Sequence, residues 1–216
     1  MYSTVFLDLD GTLTDSKPGI INGVRYALKA VGVPMPAEDR FDSFIGPPLL
    51  DSFERECGIT GELGQEALRQ YRVYYKAQGE FENAVYPGVE DMLKALKAAG
   101  KTLITATSKP EDAATRIIEH FELAKYFDCI AGASNDESRN NKPAVIRYAL
   151  EKNGITDLSG VIMVGDRMHD IEGANIIGLD SIGVLYGYGD RTELEHEGAT
   201  YIAETPADVV RIILGR

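Results

Sequence analysis

Short apolar runs rich in β-forming residues alternate with amphipathic stretches from residue 84 onward. The apolar runs predict strands over residues 101–107, 128–133, 160–166, 181–187 and 200–204, after a first strand at 4–7. Apolar residues at helical spacing predict helices over residues 110–121 and 143–152. Strands that are apolar on both faces and separated by helices are typical of a parallel sheet covered on both sides. The sequence therefore predicts an α/β fold, in which ligands bind at the carboxyl ends of the strands.

Residues 17–83 interrupt this alternation. They contain little strand-like sequence and three stretches of helical character, each followed by a glycine: 20–31, 49–56 and 66–77. We therefore expect two domains. One is an α/β core of residues 1–16 and 84–216, and the other is a helical domain of residues 17–83, inserted after the first strand.

The charge balance limits the kinds of ligand. The chain has 22 Lys and Arg against 34 Asp and Glu, a formal net charge of −12. The field of such a chain opposes binding to nucleic acid polymers and to acidic membranes, so we expect neither as a partner. An anionic ligand would have to be attracted locally, by a metal ion or by a few placed cations.

Cysteine usage and the amino-terminal segment both favour a cytoplasmic protein. Cys57 and Cys129 are far apart and have no metal-ligand spacing, as expected in a reducing compartment. The segment "MYSTVFLDLD" lacks the basic region of a signal peptide, and no apolar run is long enough to span a bilayer. We expect a monomer or a homodimer.

Polar residues gather where the predicted strands end. They are Asp8, Asp10 and Thr12 after the first strand, Thr107, Ser108 and Lys109 after the strand at 101–107, Asp166 and Asp170 after the strand at 160–166, and Lys142 at the start of a helix. Because the carboxyl ends of parallel strands meet at one edge of a sheet, these groups should converge there.

Four converging carboxylates require a compensating cation. Two ionised carboxylates about 4 Å apart repel by roughly 4 kcal/mol at an effective dielectric constant near 20. Oxygen ligands, with no histidine or cysteine among the converging groups, suit a hard ion, and Mg²⁺ meeting a substrate phosphate is the natural choice.

Each segment also has an ordinary structural interpretation. Asp8 to Gly11 could be a strand end followed by a turn, and Asp170 could favour the positive end of a helix. Thr107 and Ser108 could cap a helix, and Lys142 could be a solvated lysine. The conjunction of all four segments at strand ends favours a common site.

The segments "DLDGTLTDS", "TATSKP", "KP" at 142–143 and "VGDRMHD" resemble the four motifs of the haloacid dehalogenase superfamily of phosphohydrolases. The helical sequence between the first two motifs resembles the C1-capped members, especially the phosphoglycolate phosphatase-like group. The resemblance implies a Rossmann-like parallel-sheet core with a helical C1 cap inserted after the first strand. It also implies a Mg²⁺-dependent phosphatase that acts on a small phosphorylated metabolite. Phosphoglycolate is the substrate that this resemblance suggests.

The same resemblance implies roles for individual residues. Asp8 would attack phosphorus and form an aspartyl phosphate, while Asp10 would protonate the leaving oxygen and then activate water. Lys142 would offset charge on the nucleophile and the phosphate. Mg²⁺ would be held by the carboxylates of Asp8 and Asp166 and the main-chain carbonyl of Asp10, with Asp170 a direct or water-mediated ligand.

Substrate contacts are implied in both domains. Thr107 and the backbone amides around Ser108 would hold phosphate oxygens. Gly46, in the segment "FIGPPLLDSF", resembles part of the cap loop that faces the active site in such enzymes, and we expect it to contribute to substrate choice.

Several related activities remain open. A 5'-nucleotidase or an inorganic pyrophosphatase could use the same core, and a β-phosphoglucomutase-type phosphotransferase uses a similar nucleophile and cap. Dehalogenation is disfavoured because it needs neither a second aspartate at position 10 nor a metal, and phosphonatases carry alanine where Asp10 stands. A non-catalytic phosphate-binding module would be expected to lose a core residue, and none is missing.

Overall fold

The first strand, β1 (Thr4–Leu7), is buried along its whole length inside a parallel sheet. The structure is a computed structural model in which residues 2–136 and 138–215 are described. In it, β1 pairs on one side with β4 (Thr102–Thr105) and on the other with β7 (Val161–Gly165). This arrangement places the residues that follow β1 beside those that follow β7.

Two further parallel strands extend the sheet beyond β7. They are β8 (Asp180–Val184) and β9 (Tyr201–Ala203), which give the strand order β4-β1-β7-β8-β9. The predicted α/β fold with a parallel sheet is confirmed.

Successive residues of β1 enter two separate apolar cores, as the two-residue period of a strand requires. Val5 and Leu7 join one core, and Phe6 joins the other. The first core is covered by α4 (Val89–Ala98), α5 (Glu111–His120) and α9 (Pro206–Leu214), and the second by α6 (Lys142–Lys152) and α7 (Met168–Ile177). The helices therefore cover both faces of the sheet.

The strands predicted over 101–107 and 128–133 are wrong in extent. Beyond β4, a short strand β5 (Thr107–Pro110) pairs with β6 (Gly132–Ala133) as a separate parallel sheet. Next to β4 this segment keeps part of a ladder: the Asp128 amide donates to the Leu103 carbonyl at 2.8 Å, the Thr105 amide donates to the Cys129 carbonyl at 3.1 Å, and Ile104 and Cys129 form an isolated bridge. Side chains add further hydrogen bonds to this pairing. The Asp128 carboxylate accepts from the Leu103 amide at 2.8 Å, and the Thr105 hydroxyl bonds both the amide and the carbonyl of Ala131 at 2.9 Å.

Helix boundaries also differ from the predictions. The helix expected at 110–121 begins one residue later, because Pro110 has an extended ψ of 133° and occupies the N-cap. The helix expected at 66–77 is α3 (Gly61–Tyr74), followed by a π-helical turn at Tyr75–Gly79. Before that helix Thr60 is extended, and Gly61 adopts a positive φ of 58°, which glycine tolerates.

The chain divides into two compact units, Met1–Thr14 with Val85–Arg216, and Asp15–Ala84. The second unit is helical: α1 (Lys17–Ala30), a 3₁₀ segment (Glu38–Phe44), α2 (Leu49–Cys57), α3 and the π-helical turn. Inside it, α1 approaches α3 closely at Gly23, where a Cβ would lie 2.7 Å from Tyr71 Cε2.

Three short elements complete the fold. The strands β2 (Thr14–Asp15) and β3 (Ala84–Val85) form a two-stranded sheet, and α8 (Arg191–His196) lies between β8 and β9 in sequence. Within residues 2–136 and 138–215, every helix is too short or too polar to cross a membrane.

Candidate active site

A tight turn directly follows β1. The Asp8 amide donates to the Val164 carbonyl at 2.9 Å, which holds the end of β1 against β7. The Gly11 amide then donates to the Thr14 carbonyl at 2.8 Å. Gly11 has a φ of +82°, and a Cβ there would lie 2.1 Å from Asp166 Oδ2. A glycine is therefore needed both for the turn and for the close approach of Asp166.

Both carboxylate oxygens of Asp166, which is fully buried, are fixed by hydrogen bonds. Thr12 Oγ1 donates to Asp166 Oδ1 at 3.1 Å, and the Tyr188 amide donates to Asp166 Oδ2 at 2.8 Å. The backbone comes this close because position 187 is glycine, where a Cβ would lie 2.4 Å from Asp166 Cβ. The orientation of this carboxylate is set by the protein itself.

Lys142 brings an ammonium group between two other carboxylates. It is the first residue of α6, whose N-cap Asn141 accepts a hydrogen bond from the Ala144 amide. Its Nζ lies 2.9 Å from Asp8 Oδ1 and 2.6 Å from Asp170 Oδ1. The Lys142 side chain is only 3% exposed, so these ion pairs form away from bulk water.

The carboxylates of Asp8, Asp166 and Asp170 form one cluster. One oxygen from each lies within 4.8 Å of the others, and all three residues are buried. With Lys142, three carboxylates and one ammonium leave a formal charge of −3 + 1 = −2 if every group is ionised. A single divalent cation would neutralise this cluster.

Burial and the neighbouring charges shift the pKa values of Asp166, Asp170 and Lys142. Burial, with the nearby charges of Asp170 and Asp8, raises the pKa of Asp166 well above its ordinary value. Burial also raises the pKa of Asp170 to about 6, although Lys142 opposes this shift. Burial lowers the pKa of Lys142, but the charges of Asp170 and Asp8 outweigh it and raise that pKa overall.

These donors fit a hard divalent cation. Asp8 Oδ1 and Asp170 Oδ1 are buried, and both form ion pairs with Lys142. Within residues 2–136 and 138–215, neither oxygen accepts a hydrogen bond of regular geometry. Carboxylate oxygens are the ligands that Mg²⁺ and similar ions prefer. The donor atoms are therefore of the kind that such an ion binds.

The side chain of Asp10 lies outside this cluster and has a different partner. Lys109 Nζ lies 3.0 Å from Asp10 Oδ1, and the Lys109 side chain is 6% exposed. The sequence placed Lys109 at this edge of the sheet without giving it a role.

Besides Lys142, the predicted substrate contacts lie in different surroundings. Thr107 is buried next to Ala106, whose carbonyl accepts from Lys142 at 2.9 Å, and Thr107 Oγ1 accepts from the Lys109 amide at 3.2 Å. Ser108 is exposed beside it. Gly46 lies in the other unit, in the loop before α2, with a φ of +103°. Its contribution to substrate choice stays a prediction.

Three groups around the cluster were given no role by the sequence: the Thr12 hydroxyl, the Tyr188 amide and the Glu193 carboxylate. Glu193 Oε1 accepts from Arg167 Nε at 2.8 Å and from the Met168 amide at 2.7 Å, which anchors the start of α7. The two glycines flanking Tyr188 are the one sequence signal for a close backbone approach here.

Comparison with known proteins finds one family and relatives with more than one activity. The family model described as "Haloacid dehalogenase-like hydrolase" matches residues 5–184. A 5'-nucleotidase of Pseudomonas aeruginosa is 40% identical over 95% of this chain and 93% of its own. Tyrosine-protein kinase PtkA of Mycobacterium tuberculosis is 39% identical over 98% of this chain and 72% of its own.

A third relative and a crystal structure extend the likeness. The phosphoglycolate phosphatase of Neisseria meningitidis is 33% identical over 91% of this chain and 86% of its own. The crystal structure of a predicted phosphatase from Clostridium acetobutylicum covers 100% of both chains, with 43% identity and a TM-score of 0.93.

Proposed function

The chain belongs to the haloacid dehalogenase-like hydrolase family, and we propose that it uses Mg²⁺ and an aspartyl-phosphate intermediate to hydrolyse a small phosphate monoester. It is a phosphatase, as the names of its relatives and of a solved structure support. One observation carries the proposal. Three buried carboxylates lie within 4.8 Å of one another, beside a buried lysine, and carry a net charge that one divalent cation would cancel.

The residues that would hold Mg²⁺ are the carboxylates of Asp8, Asp166 and Asp170 and the main-chain carbonyl of Asp10. The bound ion would neutralise charge on the phosphoryl oxygens and align the displacement. Asp166 is suited to be a metal ligand of fixed orientation, because hydrogen bonds from Thr12 and Tyr188 already orient its carboxylate.

The first half-reaction uses Asp8 as the nucleophile. A carboxylate oxygen of Asp8 forms a bond to phosphorus, while the bond between phosphorus and the leaving oxygen breaks. The electron pair of the broken bond stays on the leaving oxygen, which takes a proton from the carboxyl group of Asp10. The products are an alcohol and an aspartyl phosphate on Asp8.

The second half-reaction returns the enzyme to its starting state. The Asp10 carboxylate takes a proton from water as the water oxygen bonds to phosphorus. The bond between phosphorus and Asp8 breaks, inorganic phosphate leaves, and Asp10 is protonated again. Lys142, paired with Asp8 at 2.9 Å, offsets charge in both steps.

The height of the reaction barrier requires contributions from several groups. Uncatalysed phosphate monoester hydrolysis is so slow that accelerations up to ~10²¹ are needed. General acid-base help from Asp10 supplies about 10² to 10⁴ of this. Charge neutralisation by the cation and Lys142 must therefore supply much of the remainder.

Residues 17–83 form a cap that selects the substrate, with Gly46 in one of its loops. The helical unit Asp15–Ala84 supports this part of the proposal. Its closure would expel water before transfer. A cytoplasmic location is part of the proposal and agrees with the cysteine usage, since Cys57 and Cys129 are both free.

A phosphate-release screen tests the function and narrows the substrate. The panel contains phosphoglycolate, nucleoside 5'-monophosphates, sugar phosphates and pyrophosphate, each with Mg²⁺ and with excess chelator. Phosphoglycolate and the nucleotides are tested first, because one relative is named a phosphoglycolate phosphatase and another a 5'-nucleotidase. Mg²⁺-dependent release from at least one monoester is expected, and release that is indifferent to the chelator would contradict the proposal.

Phosphoryl transfer to tyrosine is a second candidate, favoured by the name of the Mycobacterium tuberculosis relative. In this case Asp8 would take the γ-phosphoryl group of ATP and release ADP. A phenolic oxygen would then bond to phosphorus as the bond between phosphorus and Asp8 breaks, and the Asp10 carboxylate would take the phenolic proton. Incubation with ATP, followed by detection of phosphotyrosine on the protein or on added tyrosine peptides, separates this candidate from hydrolysis.

A further inference from the structure

Lys109 is a second buried lysine at the candidate active site. Its Nζ lies 3.0 Å from Asp10 Oδ1, in an ion pair whose side chains are 6% and 22% exposed. This pair stands apart from the cluster of Asp8, Asp166 and Asp170 held by Lys142. The edge of the sheet therefore contains two lysines with different carboxylate partners.

The backbone that carries Lys109 is held in place on both sides. Its amide donates to Thr107 Oγ1 at 3.2 Å, and the short strand β5 pairs with β6. Gly132 of β6 lies so close that a Cβ there would be 2.6 Å from the Lys109 carbonyl oxygen. The lysine therefore projects from a fixed backbone segment.

Asp10 is held in a different way from Asp166. Asp166 is oriented by hydrogen bonds to both oxygens. Asp10 Oδ1 is buried and accepts no hydrogen bond of regular geometry within residues 2–136 and 138–215, so the ion pair with Lys109 is what restrains it. A proton-transferring group must keep its alignment, because a displacement of about 1 Å can cost about 100-fold in rate.

We infer that Lys109 is a positioning residue, whose ion pair holds the Asp10 carboxyl group where it can exchange a proton with the leaving oxygen and with water. This inference rests on the proposed function, since it assumes that Asp10 is the acid and base. Lys142 forms an ion pair with the nucleophile Asp8, whereas Lys109 forms one with the general acid Asp10. The two lysines therefore have different roles.

The test compares two leaving groups in Lys109→Met and Lys109→Gln. Alkoxide departure from an alkyl phosphate needs a proton, whereas p-nitrophenolate departs without one. Both variants are expected to lose about 10- to 100-fold in kcat on the best alkyl phosphate of the screen. The pre-steady-state burst of p-nitrophenol should keep its parental rate within about threefold, and steady-state turnover should fall because Asp10 also activates water.

Two reference variants make the result specific. Asp10→Asn should show the same leaving-group pattern, and adding Lys109→Met to it should cause little further loss. Lys101→Met is the matched control, because Lys101 is equally buried but donates to the Tyr2 carbonyl at 2.6 Å. It should have parental kinetics on both substrates.

The outcomes separate the inference from the proposed function. A parent protein that releases no phosphate from any monoester would contradict the proposed function. An active parent whose Lys109 variants keep the parental alkyl phosphate kcat would overturn the inference alone. So would a raised KM with unchanged kcat, which would make Lys109 a substrate ligand. Equal losses in the burst and in alkyl phosphate turnover would overturn it as well.

Discussion

Thr12 Oγ1 donates a hydrogen bond to Asp166 Oδ1 at 3.1 Å, across 154 positions of sequence. It joins the turn after β1 to the carboxyl end of β7, and both residues are fully buried. The bond fixes the orientation of a carboxylate that we propose as a metal ligand. Partners of this kind set ligand geometry as much as the ligands themselves do.

Replacing Thr12 by valine should weaken Mg²⁺ binding about 10- to 100-fold, because the shape is kept while the hydrogen bond to Asp166 is lost. Isothermal titration calorimetry with Mg²⁺ measures this affinity directly. Thr105→Val is the control, since its hydroxyl bonds only the Ala131 backbone in the described structure. It should lose stability and keep Mg²⁺ affinity; an equal loss of affinity in both variants would contradict the assignment.

Alanine at position 11 should be far more disruptive than alanine at position 100. Both glycines have a positive φ, +82° and +73°, so each substitution carries about 1–2 kcal/mol of backbone strain. A Cβ at Gly11 would also lie 2.1 Å from Asp166 Oδ2, whereas nothing lies within 4 Å at Gly100. We expect Gly11→Ala to lose about 1–3 kcal/mol more in free energy of unfolding. Equal losses would contradict this account of the turn.

Stabilisation by Mg²⁺ should be larger at pH 7.5 than at pH 5. The pKa of Asp170 is about 6 in the metal-free protein, above the value near 3.9 of an unfolded chain. Its contribution to stability is therefore present below about pH 4 and is lost as the pH rises through 6. A bound cation reverses this dependence, because it requires the ionised carboxylates and competes with protons.

Thermal unfolding with and without Mg²⁺ measures the effect without any substrate. The increase in Tm caused by saturating Mg²⁺ should shrink as the pH falls from 7.5 to 5. An increase that is the same at both pH values would show that the ion binds elsewhere.

The sequence was sufficient to predict a parallel sheet and the approach of several polar residues at its edge. Strands that are apolar on both faces are typical of a parallel sheet covered on both sides. The carboxyl ends of its strands meet at one edge, which brings Asp8 and Asp166 together. Lys142 also reached the cluster, because a helix that starts at the sheet edge directs its first residue there.

Other features depend on contacts that no local pattern encodes. The strand predicted over 128–133 is reduced to an isolated bridge between Cys129 and Ile104 and to the short β6, and hydrogen bonds of the Asp128 and Thr105 side chains supplement the backbone pairing with β4. Asp10 was grouped with the other carboxylates, yet its side chain pairs with Lys109. The partners of Asp166 arrive from residues 12 and 188, and only the fold brings them within hydrogen-bonding distance.

Asp8→Asn should reduce turnover at least about 10³-fold with little change in Tm at pH 7.5, since it removes the nucleophile. Asp91→Asn is the matched control, because its side chain is 87% exposed and lies in the first turn of α4. The control should keep parental turnover.

Chemical trapping of the intermediate tests the central claim most directly. The parent protein, turning over its best substrate with Mg²⁺, is quenched in acid, digested and examined by mass spectrometry. We predict one added phosphoryl group on the peptide that contains Asp8, and none in Asp8→Asn. Rapid turnover with the phosphoryl group on another residue, or undiminished turnover by Asp8→Asn, would contradict the account.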